Sequence, residues 1–466
     1  MTEEVLDAIV IGSGQGGNPL AKAMGEAGWK TAVIEREYVG GTCVNVGCTP
    51  TKTLVASARV AYLAERAADF GIHTGTVTAN MADVIARKRE LVAKSRDSSE
   101  KGLEAVANVT LIRGEASFAA AHTVSVALTG GGKQQLTAKN IFIDTGTKPA
   151  LPNLPGLADV PYLDNASIME LETLPEHLIV LGGGYIALEF AQMFRRFGSQ
   201  VTIVQKGPAL AAHEDKDVSD ALADILREDG IKVLLSADAA LVEQVGHEIK
   251  LKVSVADKEQ TITGTHLLIA IGRVPNTEAL HCDHAGVALD AHGFVQVNER
   301  LETTASGIWA MGDVKGGPAF THISYDDYRI LKANLLDAPD GGKGSRVTTG
   351  RQVPYTIFTD PELGRIGLTE AEARKQGRNI KVAKMPMTSV ARASESAETR
   401  GFLKAVVDAD TDQILGAAIL GVDGGELAAI IQTAMMGEVT ASTLREGIWS
   451  HPTRAEALNR LFASYV

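Results

Sequence analysis

Apolar residues in this chain fall into short unbroken runs that stop on glycine or on a charge. Asp7 to Ile11 (DAIVI) reads as a buried strand running into Gly12-Ser13-Gly14-Gln15-Gly16-Gly17, and Pro19 to Ala27 follows as an alanine-rich helix. A second apolar run, Thr31 to Ile34, closes on Glu35. The same order returns later: a strand from His177 to Leu181, then Gly182-Gly183-Gly184-Tyr185-Ile186-Ala187, a helix from Ala187 to about Phe197, and a strand from Val201 to Val204 that closes on Gln205-Lys206. Between the two, residues 80 to 107 are charged and alanine-rich at helical spacing, and 109 to 145 read as short strands broken by Gly130-Gly131-Gly132. Prolines at 149, 152, 155 and 161 mark a crossing into a second domain, and Ile271-Gly272-Arg273-Val274-Pro275-Asn276 marks the exit from it. From 346 the pattern turns to β-rich segments, Val353 to Phe358 and Phe402 to Val407, with helices after them. These breaks predict domains at 1–150, 151–274, 275–345 and 346–466.

A strand, a glycine turn, a helix and a second strand ending on an acid form the dinucleotide-binding pattern. The glycines permit close approach of a pyrophosphate, the helix N-terminus faces that anion, and Glu35 can hold a ribose diol. Its return at 177–206 implies a second nucleotide or a duplicated relic, a plain crossover with packing glycines being the alternative. The expected fold class is α/β, with two Rossmann-like dinucleotide-binding domains and a C-terminal α+β domain.

Size and charge narrow the field. At 466 residues the chain is long enough for about three domains. A net charge of −12 argues against a dedicated grip on nucleic acid or acidic lipid. No run of about 18 apolar residues appears, and the start Met1-Thr2-Glu3-Glu4 is acidic, so a cytoplasmic protein without a membrane partner is expected. Of three cysteines, Cys43 and Cys48 lie close together, which in a reducing compartment points to catalysis or metal binding.

They sit in Gly40-Gly41-Thr42-Cys43-Val44-Asn45-Val46-Gly47-Cys48-Thr49-Pro50-Thr51-Lys52. Five residues of ideal helix rise roughly 7.5 Å, beyond the ~7 Å Cα limit for a disulfide, so a redox pair here requires a distorted helix. Gly40, Gly41 and Gly47 make distortion easy, and a helix continuing from Pro50 through Ala58 places Cys48 by its positive end, which favours thiolate. Two structural cysteines or half a zinc site are the alternatives, but a zinc site lacks a second cysteine pair.

These motifs, with Thr304 to Asp313 and the ending His451-Pro452-Thr453 with Glu456, resemble the class I flavoprotein disulfide reductases, the family of dihydrolipoamide dehydrogenase, glutathione reductase and mercuric reductase. The resemblance covers nearly the whole chain. It implies an FAD-binding domain at 1–150 with a returning segment at 275–345, an NAD(P)-binding domain at 151–274, and an interface domain at 346–466 that forms a homodimer. It implies an enzyme passing electrons from NAD(P)H to FAD to the Cys43–Cys48 dithiol and on to a small disulfide, a dithiol partner or a thiol-bound metal. Gly12, Gly14, Gly17 and Glu35 would bind FAD, with Gly41, Thr42, Thr145 and Gly146 beside them. Gly312 and Asp313 would hold the ribityl chain, and Phe320 and His322 lie in the same cofactor-binding set. Gly182, Gly184, Tyr185, Ala187, Gln205 and Lys206 would serve the nicotinamide cofactor, with Tyr185 as a gate, and Gly272 and Arg273 belong to the cofactor-binding set. Cys48 would be the thiol nearest the flavin and Cys43 the interchange thiol; Lys52 would lie by the flavin paired with Glu189, unless both are solvated helix charges. His451, oriented by Glu456, would complete the partner subunit's active site as a base.

Within the family, the segment Phe320 to Tyr328 and the ending look most like a bacterial mercuric-reductase-like branch associated with reactive-chlorine resistance. The chain ends without the C-terminal cysteine pair of mercuric reductases and keeps His451. Gln205 followed by Lys206, where NAD-specific members carry an acid, favours NADPH over NADH. No metal ligands are assigned, although His281-Cys282-Asp283-His284 has soft-metal chemistry. Dihydrolipoamide oxidation, and direct reduction of mercuric ion, copper ion or a quinone by flavin, are the competing enzyme readings. A flavin-based redox sensor is the competing non-enzyme.

Overall fold

The computed structural model describes residues 5–256, 258–338 and 344–466; the acidic start, residues 1–4, lies outside them. Contacts divide the chain into two units, Met1–Thr53 with Asp83–Ala150 and Gly272–Arg351, and Leu54–Ala82 with Leu151–Ile271 and Gln352–Val466.

The first unit begins with β1 (Leu6–Ile11), α1 (Gly17–Glu26), β2 (Thr31–Glu35), α2 (Gly41–Asn45) and the start of α3 (Cys48–Glu65). It continues through α4 (Met81–Glu104), β3 (Val109–Ala120), β4 (Thr123–Leu128) and β5 (Lys133–Ile143). β3, β2, β1, β5 and the strand Ile308–Ala310 form a parallel sheet, with Val10 beside Val33 and Phe142. Ala8 to Ile11 are all buried, which explains their unbroken apolar run: a parallel strand covered on both faces has no polar side. β3, β4 and β5 also make an antiparallel meander. The parallel register brings the ends of β1 and β5 together, so that Gly12 and Asp144 meet. α1 starts at Gly17, two residues before the expected Pro19, because the Asp144 carboxyl accepts the Gly17 N–H at 2.7 Å.

The second unit repeats the arrangement with β6 (His177–Leu181), α5 (Tyr185–Phe197) and β7 (Gln200–Val204). Lys232–Leu234, β7, β6, His266–Ile269 and Tyr162–Leu163 form its parallel sheet. A five-stranded antiparallel sheet follows, in the order Tyr355–Ile357, Glu362–Gly367, Ile414–Gly421, Phe402–Asp408 and Ile380–Pro386. Leu427 and Ile431 of the helix Gly424–Met436 pack with Leu403 and Ile419 in the core on its face. The α/β class with an α+β C-terminal portion is therefore what the chain adopts.

A charged cluster ties three segments of this unit. The Asp360 carboxylate pairs with Arg59 and Arg196. Arg59 also reaches Glu398 at 2.6 Å, and Arg400 pairs with Asp229 at 2.6 Å. The Arg196 guanidinium lies 3.9 Å from the centre of the Tyr62 ring. Gln192 on α5 accepts the Asp360 N–H at 2.7 Å and donates to its carbonyl at 2.8 Å. Among the described residues no helix is long and apolar enough to cross a membrane.

Candidate active site and cofactor loops

The first glycine loop is shaped by close approach. Gly12 has φ +100°, and a Cβ there would stand 2.3 Å from the Asp144 carbonyl oxygen; one on Gly17 would stand 2.4 Å from the Gly12 oxygen. Gly41 lies over the same turn, its Cβ direction 2.8 Å from the Gly14 Cα. Glu35, at the end of β2, accepts from Ser13 Oγ at 2.6 Å and from the Ser13 N–H at 3.1 Å, which fixes its carboxylate beside the loop. Thr145, just past β5, carries a buried hydroxyl without a hydrogen-bond partner.

Asp313 follows the strand Ile308–Ala310 and accepts from Thr147 Oγ1 at 3.2 Å. Arg273 donates to Thr147 Oγ1 through Nε at 2.7 Å, so Arg273 and Asp313 meet through Thr147, a residue outside the expected cofactor set. Burial pushes the Asp313 carboxyl above its ordinary range, with Arg273 opposing. Phe320 and His322 stack with ring centres 5.3 Å apart at the start of the helix Thr321–Leu335.

The helix through the cysteines is broken, as a redox pair requires. α2 ends at Asn45, Val46 turns out with φ −140°, and Gly47 sits where a Cβ would be 2.7 Å from the Thr42 oxygen. α3 then starts at Cys48, two residues before the expected Pro50, and runs on to Glu65. Across the break the neighbouring Cys48 thiol and burial hold the Cys43 thiol far above the ordinary thiol range. Cys48 Sγ lies 3.3 Å from Thr321 Oγ1. Asn45 locks the break, its amide donating to the Gly41 oxygen at 2.9 Å and the Val39 oxygen at 3.1 Å while Oδ1 accepts from Arg96 at 2.8 Å. Asn45 and Arg96 were not among the expected site residues. Only the cysteine spacing hinted that something must hold a distorted helix. Thr42 lies within α2, and Lys52 lies one turn into α3.

In the second unit, Gly182 has φ +124° and a Cβ there would stand 2.2 Å from the Ala270 oxygen, whereas Gly184 has open space. Tyr185 opens α5, Ala187 is fully buried, and Glu189 is 3% exposed and accepts the Phe358 N–H at 2.9 Å. Gln205 folds over Gly183 and donates to the Ala209 oxygen at 3.3 Å. Lys206 reaches Asp238 at 3.2 Å, both exposed. Gly146 and Gly272, both with positive φ, have open space where a Cβ would go. His451 is exposed, and its Nδ1 lies 2.8 Å from Glu456 Oε2. Cys282 is 3% exposed, its thiol pushed up to about 11 chiefly by burial, while the rings of His281 and His284 stack with centres 5.4 Å apart. Among the described residues no group of three or more His, Cys, Asp and Glu side chains converges as a metal site.

Comparison with known proteins gives two family matches, the pyridine nucleotide-disulphide oxidoreductases over residues 6–327 and the dimerisation domain of the same family over 353–462. The chain is 40% identical over 460 residues to the probable pyridine nucleotide-disulfide oxidoreductase RclA of Escherichia coli, covering 98% of each. It is 36% identical over 452 residues to the mercuric reductase of Staphylococcus aureus, covering 97% of this chain and 81% of that one. It is 35% identical over 459 residues to the dihydrolipoyl dehydrogenase of Thermus scotoductus, covering 97% and 95%. The solved Cu(II) complex of the HOCl-induced flavoprotein disulfide reductase RclA from Escherichia coli matches with a TM-score of 0.89 at 38% identity, covering 99% of both chains.

Proposed function

Because the chain belongs to the pyridine nucleotide-disulphide oxidoreductases, a family of FAD- and NAD(P)H-dependent enzymes, we propose that it reduces a small-molecule disulfide, or a soft metal ion held by thiols, through the Cys43–Cys48 dithiol. The observation that carries this reading is the break between α2 and α3 at Val46 and Gly47, which puts Cys43 in one short helix and Cys48 at the start of the next instead of five residues apart along one intact helix.

The first unit suits FAD. Its glycine turn has room only for backbone, Glu35 is fixed where a ribose would lie, and the buried Thr145 hydroxyl lacks a partner. Gly12, Gly14, Gly17 and Glu35 would hold the adenosine and pyrophosphate end, and Gly312 with Asp313 the ribityl chain. The bound flavin supplies two-electron exchange between nicotinamide and dithiol. Gly182, Gly184, Tyr185 and Ala187 in the second unit suit the nicotinamide cofactor. NADPH is favoured because Gln205 and Lys206, rather than an acid, follow β7; Lys206 is exposed and would exchange Asp238, 3.2 Å away, for the 2′-phosphate.

Cys48, at the N-terminus of an 18-residue helix, sits where an anion is stabilised. Cys43, held protonated by burial and by its neighbour, needs a base before it can attack. His451 provides one: Nδ1–H donates to Glu456, leaving Nε2 as the acceptor. In the homodimer that the dimerisation domain indicates, His451 would serve the dithiol of the other protomer, and the nearby Ile448, fully exposed, would be covered by that contact. The Cys43 thiolate attacks one sulfur of the substrate, forming a mixed disulfide and releasing the first thiolate, which takes the proton from His451. The Cys48 thiolate then attacks the Cys43 sulfur, releasing the second product as a thiolate that takes its proton from solvent and leaving a Cys43–Cys48 disulfide. Two thiolates five residues apart would equally hold a soft metal ion as substrate.

The test is an anaerobic titration with NADPH, then NADH, of the protein and of Cys48→Ser. A long-wavelength charge-transfer band lost in the variant supports the dithiol route. Direct bleaching to reduced flavin in both proteins overturns it and makes quinones, oxygen or free metal ions the substrates to test. Slow turnover that survives Cys43→Ser would point to a sensor or to direct flavin chemistry.

A further inference from the structure

We propose that Asp144 is an FAD-binding residue that meets the cofactor's pyrophosphate as an uncharged carboxylic acid, so that FAD is retained with a proton and released in base. The proposal rests on the reading of the first unit as the FAD site.

Asp144 is the residue after β5, and its carboxyl lies between two glycine turns. Oδ2 accepts the Gly17 N–H at 2.7 Å. A side chain at Gly14 would come within 2.8 Å of Oδ2, one at Gly17 within 2.9 Å of Oδ2, and one at Gly312 within 2.8 Å of Oδ1. The N–H that Oδ2 takes belongs to the first turn of α1, where the helix dipole and the glycine loop favour an anion. An aspartate placed there meets a second anion when a pyrophosphate arrives. A protonated carboxyl removes the conflict, because Oδ2 keeps the Gly17 N–H while the acid proton is donated to the phosphate.

Burial and the acids that face the Asp144 carboxyl outweigh what opposes them, which is the Gly17 N–H that it accepts. Burial raises the Asp144 carboxyl most and the Gly17 N–H opposes it, while Asp313 from the turn after Ile308–Ala310, Asp327 from the helix Thr321–Leu335 and Glu35 from β2 add to the rise and hold it well above the ordinary carboxylate range. The nearby cations are committed elsewhere. Lys315 and Arg351 pair with Asp327 at 3.2 and 2.7 Å, and Arg273 donates to Thr147 beside Asp313. Lys22 and Glu26, the charges on α1 itself, lie beyond its first turn. Among the described residues no ion pair joins a cation to Asp144.

FAD binding to the apoprotein is measured by quenching of flavin fluorescence between about pH 6 and pH 10 for the wild type and Asp144→Asn. One proton bound with FAD makes the wild-type affinity fall about tenfold per pH unit above the carboxyl's pKa in the apoprotein. Asp144→Asn keeps an acceptor for Gly17 and a permanent donor, so its affinity stays flat and exceeds the wild type's at the basic end. Parallel profiles overturn the role of Asp144 while leaving FAD binding intact; no binding at any pH overturns the cofactor reading and the proposal together. Infrared spectra of ¹³C-aspartate-labelled wild-type holoprotein require no variant. A protonated aspartic acid band is expected, and its absence refutes the proposal.

Discussion

Replacing Asp360 by Asn removes one charge from the cluster that joins three segments of the second unit, without changing the size of the side chain. Asp360 is the shared partner of Arg59 and Arg196, and the side chains of Arg196 and Asp360 are only 6% and 13% exposed. Breaking a buried pair by neutralising one partner costs about 3–5 kcal/mol, because the other charge stays buried. Arg59 is 27% exposed and keeps Glu398, so its share is small and the lower end, about 3 kcal/mol, applies. The main-chain bonds to Gln192 persist in the variant and add nothing to the loss. The pH dependence has a definite sign. Burial pushes the Asp360 carboxyl up, but Arg196 and Arg59 outweigh it and hold it below its ordinary value. The stabilisation is therefore complete above about pH 4 and is lost as pH falls through the folded value. Urea denaturation followed by circular dichroism at pH 7 should show the ~3 kcal/mol loss, and the gap between wild type and variant should close toward pH 3. A loss below about 1 kcal/mol at pH 7, or a gap that does not vary with pH, refutes the argument.

The exchange and cofactor readings give two more expectations. His451→Ala should lower kcat/KM for disulfide reduction about 10²- to 10⁴-fold while flavin reduction by the nicotinamide cofactor keeps its rate; stopped-flow absorbance separates the two half-reactions, and equal loss in both would place His451 elsewhere in the cycle. Gly17→Ala puts a Cβ 2.4 Å from the Gly12 oxygen and should leave the purified protein depleted of flavin, so a full complement by absorbance would show that the turn can relax.

The local features could be read from the sequence because they rest on local chemistry. Ala8–Ile11 of β1 and Leu178–Leu181 of β6 are buried in parallel strands, so these residues had to be apolar, and each glycine turn follows directly. The broken helix at the cysteines was foreshadowed by a spacing too long for an intact one. Asp144 was not legible: after the apolar run Ile141 to Ile143 it reads as an ordinary strand end, and its meaning comes from an N–H 127 residues away. The same holds for the link from Arg273 through Thr147 to Asp313, whose members gather only when the ends of several strands are brought into register. The helix starts differed from expectation for physical reasons as well: a carboxyl capping Gly17 begins α1 early, and the turn at Val46 and Gly47 lets α3 begin on Cys48 itself.

The charge cluster of the second unit also sets an order of events during synthesis. Arg59, Tyr62 and Arg196 leave the ribosome well before Asp360, which lies 164 residues after Arg196. At about 5–20 residues per second that is a delay of roughly 10–30 s. Through that interval the nascent α5 carries Arg196 without its acid, beside an aromatic ring on α3. The C-terminal segment, arriving last, brings Asp360 and Glu398 for the two arginines and Arg400 for Asp229, and so completes the pairing only when the chain is nearly finished. A truncated product ending before Asp360 would keep its glycine loops and its dithiol yet leave Arg59, Arg196 and Asp229 without their partners, a set of unmatched charges by which unfinished copies differ from finished ones.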